Sequence, residues 1–114
     1  MQQFNPAPND VIADQNQINH VSSTVDETIT IKPYQKFTRL TLAASVDLTI
    51  NLPSPMECIG QILTIFVLSA AGSNTVILSG NRIKPTQPNL TATDDMVVLI
   101  SNGYEWLTLV DIST

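Results

Sequence analysis

Val46-Asp47-Leu48-Thr49-Ile50-Asn51-Leu52 alternates apolar and polar residues without a break. Successive side chains of a β-strand point to opposite faces, so this spacing sends Val46, Leu48, Ile50 and Leu52 to a core and Asp47, Thr49 and Asn51 away from it. Weaker copies of the pattern occur at Thr28 to Lys32, with Ile29 and Ile31 inside, and at Phe37 to Ala43, with Leu40 and Leu42 on one face and Arg39 and Thr41 on the other. No long window carries a helical period. One helical turn is expected at Ser54-Pro55-Met56-Glu57, with Ser54 as cap, Pro55 at the first helical position and Gly60 as the stop.

Two further runs, Gln61–Ser69 and Met96–Ser101, are apolar on both faces. Such strands are covered from both sides, and without helices the second cover must come from another sheet or another subunit. Thr75 to Ser79 and Tyr104 to Ile112 complete the set. Turn residues separate the strands: Ala71-Gly72-Ser73-Asn74, Ser79-Gly80-Asn81, and Asn102-Gly103, which reads as a two-residue hairpin turn. Seven or eight short strands predict an all-β fold, a single β-sandwich or jelly-roll-like barrel over residues 28–114.

Residues 1–27 read as a polar N-terminal arm. Gln2, Gln3, Asn5, Asn9, Gln15, Asn16, Gln17 and Asn19 are amides, and Pro6 and Pro8 block regular structure. The segment either stays a tail or orders against a neighbouring subunit, with Phe4, Val11, Ile12 and Ile18 as its apolar anchors.

At 114 residues the chain has room for one domain. Charged residues are 13% of it, about half of the ~25% of an ordinary domain, so much of the surface is expected to be hidden against other subunits. A net charge of −5 would repel a phosphate backbone, which argues against nucleic acid as a partner. Met1 to Pro6 lacks the charged start of a secretion leader, and no run approaches the ~20 apolar residues of a membrane span. The expectation is a protein made in the cytoplasm that does not engage a membrane.

No constellation supports catalysis, a cofactor or a metal. Cys58 is the single cysteine, too few for a disulfide or a thiolate-built zinc site, and reads as a small buried residue. His20, also single, lies in the arm without a nucleophile or acid at catalytic spacing. Asp94-Asp95 is the one adjacent carboxylate pair, and turn chemistry before an apolar strand accounts for it better than calcium does. Asn89-Leu90-Thr91 fits a glycosylation acceptor without the secretory context that would give it meaning. Trp106 reads as a cap on one end of the core, with an exposed interface anchor as the alternative; Tyr104 beside it is a second candidate for an interface or a sugar platform.

The order of these motifs from about Leu40 to Val110 resembles a recurring β-domain of tailed-bacteriophage virions, found in capsid decoration (cement) proteins, head fibres and tail-fibre segments. An alternating strand ends in Leu52-Pro53-Ser54, a turn carries Glu57 and Gly60, and the apolar strand Gln61-Ile62-Leu63-Thr64-Ile65 follows. A Ser/Asn/Gly loop then leads to a strand with Ile77, and Leu99-Ile100-Ser101-Asn102-Gly103 leads to Trp106. The likeness covers roughly two thirds of the chain and leaves residues 1–27 unmatched. It implies a structural, non-enzymatic virion protein, frequently a homotrimer, located on the capsid surface and partnered by the major capsid protein or other virion proteins.

Overall fold

The computed structural model describes residues 18–79, 83–84 and 87–113, and in them the protein is all-β. The strands are β1 (Asn19–Ser23), β2 (Glu27–Thr30), β3 (Phe37–Leu42), β4 (Asp47–Asn51), β5 (Ile62–Ala70), β6 (Thr75–Ser79), β7 (Ile83–Lys84), β8 (Met96–Ser101) and β9 (Trp106–Ile112). One sheet runs β1-β3-β5-β8-β9-β7 and the other β2-β4-β6.

Strand direction gives the architecture. β1, β3 and β5 are parallel neighbours, and so are β2, β4 and β6. The chain therefore winds as a coil, each of three turns laying one strand in the large sheet and the next in the small one. The antiparallel pair β8–β9 then extends the large sheet from β5. This is a solenoid-like arrangement. The sandwich or jelly roll expected from strand spacing would join its strands antiparallel through hairpins and Greek keys, and the first six strands do not.

Alternation becomes burial as the spacing predicts. Val46, Leu48, Ile50 and Leu52 are buried, as are Ile31, Leu40 and Leu42. Across the parallel ladders like stacks on like: Ile29, Ile50 and Leu78 form one row of the small sheet, and Leu40 faces Val67 in the large one. Leu63, Ile65, Val67, Val97, Leu99 and Trp106 bring the large sheet's inner face into the same core cluster. Burying each such side chain is worth about 1.5–3 kcal/mol before the entropy of ordering it is counted.

The corners of the coil are also stacked. Ser45 and Ser73 both take positive φ, 61° and 54°, in the turns that lead into β4 and β6. Ser45 N donates to Gly72 O at 2.8 Å, Ala71 N to Leu42 O at 3.1 Å and Ala43 N to Ser23 O at 3.0 Å. Asn74, buried, ties two corners together: its Nδ2 donates to Ala43 O (2.7 Å) and Val46 O (3.2 Å), and its Oδ1 accepts from Gly72 N (3.0 Å).

Three local expectations are corrected. Asn19–Ser23, assigned to the arm, is β1 and pairs with β3, so the folded unit starts before residue 28. A parallel neighbour supplied the second half of a ladder that polar composition concealed. The helical turn exists as a 3₁₀ turn at Pro55–Cys58, yet Ser54 accepts Glu57 N through its backbone oxygen (3.0 Å) and makes no side-chain cap. The β8–β9 loop runs from Asn102 to Glu105, longer than a two-residue turn, because Asn102 Oδ1 accepts from Tyr104 N and Glu105 N, both at 2.9 Å. Gly103, at φ 96°, passes close under Ile59, whose Cγ1 would lie 3.4 Å from an added Cβ.

Candidate interaction surface

The outer faces of the two sheets differ in kind. On the small sheet the outward rows are Thr28, Thr49 and Ile77, then Thr30, Asn51 and Ser79, a mostly polar surface. On the large sheet the rows across β5, β8 and β9 are Ile62, Ile100 and Leu107, then Thr64, Val98 and Val110, then Phe66, Met96 and Ile112. Ile62 is 48% exposed and Ile112 54%. Leu68 and Leu109, at the two bulged positions, add to the exposed apolar surface.

The double-sided apolar runs Gln61–Ser69 and Met96–Ser101 thus have one face in the core and the other half-buried, with Ile62 and Leu68 exposed. β3 continues the outer face with Phe37, opposite Thr64, and Arg39, opposite Phe66. β1 borders it with His20, opposite Arg39. None of the residues in these rows is a carboxylate, although the chain has ten. Cations stand at two borders of the face: Lys84 of β7 lies opposite Leu107, and at the other edge Arg39 Nε donates to His20 Nδ1 at 3.2 Å, with Arg39 Nη2 3.0 Å from the ring nitrogens. Three to four strands about 4.8 Å apart, each with about five residues rising about 3.3 Å, give an apolar face of roughly 300 Å². A patch of that size is often a contact site.

The anticipated site residues separate. Trp106 is buried (1% exposed), its Nε1 donating to Pro53 O at 3.0 Å, so it holds the core together and is no exposed anchor. Tyr104 is 83% exposed at the tip of the β8–β9 loop, where Met56 and Ile59 are also exposed. Ile18 is exposed beside β1; Phe4, Val11 and Ile12 lie outside the described residues. His20 is in a strand and not in a solvated arm.

The carboxylate pair is divided between two tasks. Asp95 is buried, and its Oδ2 accepts from Thr91 N (3.0 Å) and Ala92 N (2.9 Å), whereas Asp94 is exposed with φ 73°. No group of three or more metal-ligating side chains occurs among the described residues. Cys58 is buried, and that burial, with the charge of Glu57 beside it, pushes its thiol pKa up. Such a thiol is a poor nucleophile.

The outer face itself was implicit in the double-sided apolar runs, whereas the parallel connectivity that assigns it to one sheet was not. Comparison with protein-family models, with curated proteins and with solved structures finds no match to this chain.

Proposed function

We propose that the chain is a structural, non-enzymatic protein of a virus particle: a capsid decoration (cement) protein that sits on the outside of a tailed-phage head as a homotrimer and bridges capsomers. The observation that carries this reading is the carboxylate-free apolar face over β5, β8 and β9 in a chain otherwise poor in charge. A face of this kind suits a contact with another subunit. The motif order from Leu40 to Val110 adds the virion context, and the acidic balance suits a position on the outer side of a shell, away from packaged nucleic acid. Residues 1–17, with Phe4, Val11 and Ile12, are the candidate arm toward the major capsid protein.

The second reading, a short head fibre, tail fibre or tail adaptor, draws on the coil itself, because parallel turns stack along one axis and lend themselves to extension. A carbohydrate-binding role loses ground with Trp106 inside the core, since Tyr104 alone makes a poor platform. Quantitative mass spectrometry of purified particles from the virus encoding the chain separates these roles. A decoration protein is present in hundreds of copies, a fibre in tens, and absence from particles refutes both.

A further inference from the structure

Resting on that reading of the face as a subunit contact, we infer that its occupant is the corner between β1 and β2 of a second copy of the chain. This corner has the complementary chemistry. Val25 is 63% exposed at its tip, an apolar knob with Asp26 and Glu27 next in sequence. Asp47 stands beside them, its backbone N donating to Asp26 Oδ1 at 2.8 Å, and Asp26, Glu27 and Asp47 are all exposed. The receiving face has the inverse pattern, apolar rows bordered by Arg39 and His20 with no carboxylate.

Within one molecule the two patches stay apart. Arg39 lies toward the start of β3, while the corner lies beyond its end, where Leu42 pairs with Ser23. Among the described residues the Arg39 guanidinium donates to the His20 ring and meets no carboxylate. In the inferred contact a neighbour's Asp26, Glu27 and Asp47 meet that guanidinium, and its Val25 seats on the rows around Phe66 and Val98. Because two different patches meet, the contact is heterologous, and copies related by a rotation that closes form a ring. A ring of three meets the stoichiometry of the proposed function.

Sedimentation velocity on the full chain tests this with Arg39→Glu, Asp47→Arg and the double variant. Both positions are on the surface, and the Asp47 contact to Asp26 uses only backbone at residue 47, so unchanged melting curves verify that each variant folds. Either single change is expected to weaken association roughly tenfold or more, and the double variant to restore it, since the swapped charges meet again across every contact. Val25→Glu is expected to weaken it as well. Association indifferent to Arg39→Glu, or a double variant no better than the singles, overturns the inference. A chain that forms trimers and is abundant on particles, yet keeps its association in Arg39→Glu and Asp47→Arg, overturns the inference and leaves the decoration reading standing. A charge-sensitive ring absent from particles supports the inference and overturns the decoration reading.

Discussion

Replacing Asn74 with Ala removes three hydrogen bonds in one step, those to Ala43 O, Val46 O and Gly72 N. Each is worth about 0.5–1.5 kcal/mol net, so the loss is about 3 kcal/mol. Val46 O keeps a bond from Thr75 N at 3.3 Å, which holds the figure below the cost of three fully orphaned groups. For a domain of this length that corresponds to a fall in melting temperature of about 10–15 °C. Asn74→Asp is the sharper comparison, because the carboxylate can still accept from Gly72 N but must face two carbonyl oxygens it cannot donate to. It is expected to destabilise at least as much as Ala despite its closer shape. Urea melts of the two variants with a common m-value measure both differences. A loss under about 0.5 kcal/mol for Asn74→Ala would refute the claim that side-chain bonds between stacked corners hold the coil.

Three further outcomes follow from particular groups. Thr108 Oγ1 is buried without a hydrogen-bond partner among the described residues, so Thr108→Val is expected to stabilise by up to about 1 kcal/mol in the same melts. The raised Cys58 pKa means that the folded state holds the thiol proton more tightly. Its contribution is therefore full below the thiol's ordinary range and lost as pH rises through the folded value, a fall that Cys58→Ala should lack in melts across the alkaline range. Deleting residues 1–17 is expected to leave the melting temperature unchanged within a few degrees, whereas deletion through residue 24 removes β1 from beside β3 and should lower it by about 5–10 °C, a cost of about 1–2 kcal/mol.

How much of this was legible in the sequence depends on what each residue reports. Val46 to Leu52 declares a half-buried strand because period two is a property of the strand alone, and its inside residues are those the alternation names. Whether neighbouring strands run parallel is a property of connections, and here the signal was a repeated corner. Ala43-Ala44-Ser45 and Ala70-Ala71-Gly72-Ser73 precede β4 and β6 alike, and the register sets Leu42 beside Ala70 and Asp47 beside Thr75. The small residues and positive-φ serines mark a turn that stacks on itself. β1 was concealed because Asn19-His20-Val21-Ser22-Ser23 has one large apolar residue, and its place is fixed by pairing with β3 and by the Asn19 Nδ2 bond to Thr38 Oγ1 at 3.2 Å. Trp106 has an amphipathic side chain that suits both a core and an interface, and only the Pro53 carbonyl at its indole nitrogen decides between them.

Native mass spectrometry of the full chain at micromolar concentration tests the central claim most directly, because that claim is that the apolar face of β5, β8 and β9 is made to be covered by subunits. The expected spectrum is dominated by a species of three copies, each of 12.4 kDa. A spectrum of monomer alone would contradict it, since the face and the low charge content would then lack the partner that explains them.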